Sequence, residues 1–298
     1  MARPRAPRDK AASLVDPLVA SLQKRGKGAL SAAKRRALVR DHGVDAVRAL
    51  LAAEHPKWTA DVVELGAGDS PWPYAGESAL ATARHALGPL ADRLPRTLAK
   101  LGTAELVVTV RHTPDASGPD LGGWFLLYAV PADHGPELWI GGPPAPDAAI
   151  TIDGWSLPEP LRELYAQHHG LGVLCDEFGW TGVDPGAQPA PHLTIPSVAE
   201  LGDPDAPART DLLRFTRGTG EAGESGWCFA RGSSPPKQRK AKRRAGAGEA
   251  PTPSPLAIRH LDDQFGLLGE PAPFDFWEFL DRYLTGDPDS ELPFAEHF

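Results

Sequence analysis

The stretch Asp61–Ser70 (DVVELGAGDS) holds the residue pattern in this chain that most invites a chemical interpretation. A short apolar strand runs into G-x-G-x-S. Gly66 and Gly68 lack a Cβ, so a backbone turn there can approach a bound cofactor closely, and Glu64 is placed to hold a cofactor ammonium. A single Gly-rich turn takes its meaning from what surrounds it. A cofactor site would need strands alternating with helices, and an acidic residue closing the second strand to hold a ribose. Here Pro71 and Pro73 stand where a helix should begin, and the next strand, LVVTVRH, ends in Arg111 and His112. The pattern therefore predicts a glycine-rich loop after a short strand.

Other reactive residue types are poorly spaced for chemistry. His168 and His169 are adjacent, so on a helix they point about 100° apart and cannot share a metal ion. One is expected to pack and the other to cap a helix end. Cys175 precedes Asp176 and Glu177, whose charges would disfavour a thiolate. Cys228 lies between Trp227 and Phe229 and reads as a small packed residue. Gly223–Gly226 (GESG) lacks the spacing of a nucleophile elbow. The sequence has no Walker loop, no H-E-x-x-H and no C-x-x-C. No catalytic, cofactor-binding or metal-binding residue is assigned, no cofactor is expected, and the chain is not expected to be an enzyme.

Composition bounds the setting. With 298 residues, 41% hydrophobic and 23% charged, the chain can form one large folded domain or two ordinary ones. Its 31 glycines and 32 prolines demand extensive loops. Two cysteines are too few for a disulfide framework, so a reducing cytoplasm is expected. No stretch reaches the roughly 18–20 apolar residues that cross a bilayer, so no membrane association is expected. Asp16 and Pro17 interrupt the one apolar run near the start, against a signal peptide.

Charge is uneven. Of 31 Lys and Arg and 39 Asp and Glu, residues 1–40 hold eleven and two, which leaves twenty against thirty-seven elsewhere. A second basic run, Lys237–Arg244, sits in a Ser/Pro/Gly/Ala-rich stretch, Gly232–Pro255. That composition predicts a disordered loop. Both basic segments allow contact with nucleic acid.

The elements that must carry these residues divide into three parts. Residues 1–43 read as a basic, partly flexible helical segment, with helices over Ala11–Gln23 and Ser31–Arg40. Residues 44–149 read as a small α+β domain. It starts with a helix at Val44–Ala53, and Pro89 and Pro95 should divide the helical stretch Ser78–Leu101. Strands at Glu105–Arg111, Trp124–Val130 and Glu137–Gly141 form an antiparallel meander that Ala149–Asp153 is expected to join. In residues 150–298, Ser156 and Glu159 form an S-x-x-E capping box that starts a helix ended by Gly170. Irregular connections with one or two short strands follow over 171–210. Strands are then expected at Asp211–Arg217, Gly226–Arg231 and Leu256–His260. An aromatic helix closes the pattern, with Phe276, Phe279, Leu280, Tyr283 and Leu284 at core spacing.

The segments LPEPLRELYAQHHGLG, DLLRFTRG, GWCFARG, PLAIRHLDD and FDFWEFLDRYL, in this order over about residues 150–285, resemble the SUKH superfamily. That superfamily includes fungal cell-wall-synthesis regulators, the SecY-interacting protein Syd and many bacterial toxin-immunity proteins. Two departures are Ala230, where many members place an acidic residue, and the Gly232–Pro255 insertion. The resemblance implies an α+β domain with a mainly antiparallel sheet and a non-catalytic, protein-binding role. Its most concrete form is immunity to a basic nuclease or deaminase toxin. Asp176, Glu177 and Trp180 in one connection, with Glu221 and Glu224 in another, are the expected contact residues, since acidic groups around an aromatic would steer and anchor a basic partner. Two alternatives remain. Asp61–Ser70 resembles the first motif of S-adenosylmethionine-dependent methyltransferases, and the basic segments would suit a nucleic-acid-associated scaffold.

Overall fold

The computed structural model describes residues 12–56, 60–112, 123–145, 151–152, 155–156, 158–175, 179–189, 212–217, 226–230, 256–260, 267–273 and 275–286. The chain is an α+β protein that divides into two compact units. One comprises Met1–Ala83, Lys100–Pro143 and Val173–Gly179, and the other Arg84–Ala99, Pro144–Gly172 and Trp180–Phe298. Residues 84–99 group with the unit that holds most of the C-terminal half.

In the first unit, α1 (Ala12–Leu22) packs on α2 (Ala32–Glu54). Ser31 caps α2, its side chain accepting from the Lys34 N–H. Gly43 (φ 52°, ψ −124°) breaks the helical path, as the two expected helices on either side of it require. An ion pair joins Arg35 to Glu54. In a straight helix those positions would lie about 28 Å apart. The glycine bend is what lets the two ends of α2 approach, because a left-handed φ there costs a side-chain-bearing residue about 1–2 kcal/mol.

Three strands follow the expected meander, β2 (Leu106–His112), β3 (Gly123–Ala132) and β4 (Gly135–Gly142). The short strand before the glycine-rich turn, β1 (Ala60–Glu64), extends it at the β2 edge, a pairing that the sequence does not predict. All are antiparallel to their neighbours, in the order β1-β2-β3-β4. Val62, Val110 and Phe125 lie in register, as do Val108, Leu127 and Ile140. Phe125 through Val130 are all buried, so β3 is covered on both faces. Helix α2 lies against all four strands.

The helical stretch before β2 is divided where its prolines predict. Helix α3 (Ala79–Leu87) gives way to a 3-10 turn over Gly88–Asp92, and α4 (Pro95–Gly102) starts on a proline.

In the second unit, β5 (Thr151–Ile152) pairs with β6 (Trp155–Ser156) as a separate two-stranded sheet. This corrects the expectation that Ala149–Asp153 joins the meander. It also corrects the capping box: Ser156 belongs to a strand, and α5 (Glu159–Tyr165) begins after Pro158 without a side-chain cap. Pro158 fixes the local backbone, so the helix starts without help from the serine. The helix ends before His168, and Gly170 lies in β7 (His169–Cys175) instead of stopping α5.

Strand β8 (Gly179–Pro189) is longer than the Gly/Pro-rich sequence suggests, and its register with β9 (Leu212–Arg217) slips between Val183 and Gln188. Strands β9, β10 (Gly226–Ala230), β11 (Leu256–His260) and β12 (Leu267–Pro273) pair antiparallel in sequence order. Strand β12 is not expected from the sequence. Its pairing with β11 is broken by an irregularity, and its Gly and two Pro hide the strand pattern. Asp275 caps α6 (Phe276–Thr285), accepting from the N–H groups of Trp277 and Glu278, and Gly286 closes it at φ 69°.

Candidate functional site

The glycine-rich turn is built to fold a loop. Ala67 N–H donates to the Glu64 carbonyl at 3.0 Å, which turns the chain directly after β1. Gly66 has φ 77°, and a Cβ placed on it would meet the Cβ of Ala75 at 2.7 Å. Gly68 has φ 62° and open space around it. Ser70 Oγ accepts from the Trp72 N–H at 3.3 Å and lies 3.4 Å from the Trp72 carbonyl, pinning the loop beside the buried indole. The glycines thus answer to backbone conformation and to the close passage of Ala75. A methyltransferase turn would lead through a crossover helix to a parallel neighbour. Strand β1 instead pairs antiparallel with β2, and the next helix begins only at Ala79.

The first unit's polar residues are also placed structurally. Lys100 Nζ lies 3.4 Å from Glu137 and 4.8 Å from the Trp139 ring centre, and the indole N–H donates to Glu137 at 3.2 Å. Tyr128 is fully buried on β3, and its hydroxyl has no hydrogen-bond partner among the described residues. Burial, and then the nearby Tyr74, push its pKa far up, so the phenol stays neutral and is no base.

No family model matches this sequence, and neither a curated protein nor a solved structure matches it. The functional reading therefore rests on the residues themselves.

Of the expected contact residues, Asp176, Glu177, Glu221 and Glu224 lie outside the described residues. Trp180 lies in β8. The basic run Lys237–Arg244 and the stretch Gly232–Pro255 also lie outside them. Cys175 ends β7, and Cys228 sits mid-strand in β10, opposite Arg214 and Ile258. His168 is fully buried beyond the end of α5, while His169 opens β7 and meets Tyr165 edge-on at 5.0 Å. Burial lowers the His169 pKa, which keeps this imidazole neutral. Among the described residues, no cluster of three His, Cys, Asp or Glu could hold a metal ion. No described helix is long and apolar enough to cross a membrane.

What the second unit does bring together is an aromatic framework. Phe215 on β9 stacks on Phe229 of β10 at 4.5 Å and meets Phe276 and Phe279 of α6 at 5.6 and 6.1 Å. Trp227 meets Phe279 edge-on at 4.6 Å. The aromatic stripe of the closing helix is therefore core, as its spacing predicts. One buried residue on that helix is not apolar. The Asp281 carboxylate accepts from the N–H groups of Arg96 and Thr97 at 3.0 and 2.8 Å, which caps α4 from 184 residues away. These are the first two N–H groups of α4 able to donate, because Pro95 has none. Arg93 adds a second tie, pairing with Glu163 of α5 and lying 5.1 Å from the Trp277 ring centre. An apolar-stripe reading of the helix passes over Asp281. In the sequence Asp281 falls about 60° beyond the edge of the stripe, next to Leu284, so the apolar spacing gives no sign of its burial.

Proposed function

We propose that this chain is a non-catalytic protein-binding protein of the SUKH type, with neutralisation of a partner toxin as its specific role in the cytoplasm. The observation that carries this reading is the packing of the resemblance-bearing segments on one another. Strands β9 and β10 present Phe215, Trp227 and Phe229, and the closing helix seats Phe276 and Phe279 on them. The succession of α5, antiparallel strands and closing aromatic helix is the one the resemblance implies. A rigid antiparallel sheet with long connections suits recognition, since a scaffold of this kind can hold variable loops against a partner. The partner is a basic nuclease or deaminase, met by Asp176, Glu177, Trp180, Glu221 and Glu224.

The test is affinity capture of the tagged chain from its native host, with bound proteins identified by mass spectrometry. One stoichiometric basic partner that is toxic when expressed alone, and harmless with this chain, is the expected result. With that partner in hand, replacing Asp176, Glu177 and Glu224 together by Ala should slow association and flatten its salt dependence. Recovery of no protein partner would overturn the reading, and unchanged association at low salt would overturn the placement of the surface.

A further inference from the structure

Over residues 12–41, seven Lys and Arg face two acidic residues, Asp16 and Asp41. Part of this charge is neutralised: Arg35 pairs with Glu54, and Arg40 lies 4.0 Å from Glu105. Lys24, Arg25, Lys34 and Arg36 have no carboxylate within 4.0 Å among the described residues. Lys24, Arg25 and Lys34 are exposed and Arg36 is half-exposed. Successive helical positions fan about 100° apart, so Lys34, Arg35 and Arg36 ring the start of α2. Arg25 stands beside that ring: burial, and then the charge of Arg25, lower the Arg35 pKa.

This placement works against the helix that carries it. The start of a helix is its positive end, where an acidic residue is favoured and a cation is not. The first turn of α2 contains no acidic residue. Like charges gathered there against both the dipole and one another lower stability in the free protein, and an anion would relieve them. The chain as a whole carries a net charge of −8, so a polyanion would be drawn to its basic segments, this one among them, and not to the protein at large.

We infer that the basic segment from Lys24 to Arg36, with Lys24 and Arg25 in the α1–α2 connection and Lys34 and Arg36 on the first turns of α2, docks the phosphodiester backbone of a nucleic acid. Guanidinium groups match phosphate geometry, and a repeating polyanion can engage several of these cations at once. A lipid surface is the lesser fit, because interfacial binding also needs apolar side chains to insert. Leu14, on α1, is the sole exposed large hydrophobic residue among the described residues of this helical pair.

The experiment compares the full chain with a K24Q/R25Q/K34Q/R36Q variant. Binding of a short labelled DNA duplex of mixed sequence, and of a labelled single-stranded RNA, is followed by anisotropy across a salt series. Residues Arg3, Arg5, Arg8 and Lys10 are present in both proteins, so the difference isolates the α1–α2 cations. The variant should bind about tenfold more weakly or worse at low salt. Its slope of log affinity against log salt on the duplex should be shallower by about 3.6, since four fewer phosphates are neutralised at about 0.9 each. Loss of RNA binding alone would also support the inference and identify the single strand as the preferred form. Equal binding by the two proteins would overturn it, as would no binding by the unaltered chain. So would variant-sensitive binding to phosphatidylserine vesicles without binding to either nucleic acid. Circular dichroism of the variant checks that α1 and α2 remain folded. No protein partner enters this test, so its outcome is independent of the toxin-binding proposal.

Discussion

The meander unit and the aromatic unit solve the same problem by different routes. Within the meander, β2, β3 and β4 pair with their neighbours in sequence: β3 and β4 are joined across Asp133–His134, and their side chains fill consecutive buried positions. The aromatic unit relies on anchors that meet over long stretches of chain. Asp281 holds the start of α4 across 184 residues, and Arg93 reaches Glu163 across 70. Hairpins close at small entropic cost, whereas distant anchors repay their ordering only once the surrounding elements are in place. Single substitutions at the distant anchors should therefore weaken the second unit in a way that no one strand position of the meander matches for its size.

The largest effect is expected at Phe215. It is fully buried and touches rings from both β10 and α6. Phe215→Ala should destabilise by about 3–5 kcal/mol, measured by urea unfolding followed through tryptophan fluorescence. A loss under about 1 kcal/mol would mean that the cluster does not anchor the closing helix, since cavities of this size in a packed core cost more.

Asp281→Ala comes next, at about 2–4 kcal/mol, because two charge-assisted hydrogen bonds disappear and two helix-start N–H groups lose their acceptor. Asp281→Asn keeps the shape and one acceptor oxygen and should recover about half of that loss. If Asn and Ala were equally damaging, charge and not hydrogen bonding would be the anchor. If neither mattered, the contrast between the two units would fall.

The same contrast explains what can be read from the sequence. Strands β2 to β4, the division of the helical stretch at Pro89 and Pro95, and the aromatic core of α6 all follow from local spacing, and all are present. The short hairpin β5–β6 is masked because Ser156 and Glu159 fit a capping pattern that the intervening Pro158 displaces. Strand β12 is hidden because its pairing, not its composition, makes it a strand. Asp281 has no partner legible in the sequence, because nothing near it names the start of α4. The expected contact surface is legible only as acidic residues in connections, and of its five residues the structure describes Trp180 alone, as part of β8.

A finer test sits inside the meander unit, where two glycines of one motif should respond differently. Gly68→Ala meets only the cost of a left-handed backbone, about 1–2 kcal/mol. Gly66→Ala meets that cost and an overlap with Ala75, for about 2–3 kcal/mol in all. Thermal unfolding of the two variants measures the difference directly. Equal losses would mean that the Ala75 segment moves aside freely, and that this loop is less fixed than its hydrogen bonds to Trp72 imply.

The smallest expected effect tests whether burial in the aromatic unit extends to its titrating groups. Burial lowers the His169 pKa below its ordinary value of about 6.5. Between the folded pKa and about 6.5, the unfolded chain binds more protons at this site than the folded one, so stability rises with pH in that window. The contribution is present in full above about pH 6.5, falls as the pH drops toward the folded pKa, and levels off below it. His169→Gln removes the titrating group, so the stability difference between the two proteins should change across that interval and be constant above it. Unfolding free energies measured on both proteins from about pH 7.5 down to about pH 5 decide the matter, because other titrating groups are common to both and cancel. A difference that stays flat throughout would mean that water reaches the His169 imidazole and that the edge contact with Tyr165 does not exclude it. A difference that grows toward low pH would extend the long-range packing of this unit from its rings to its charge.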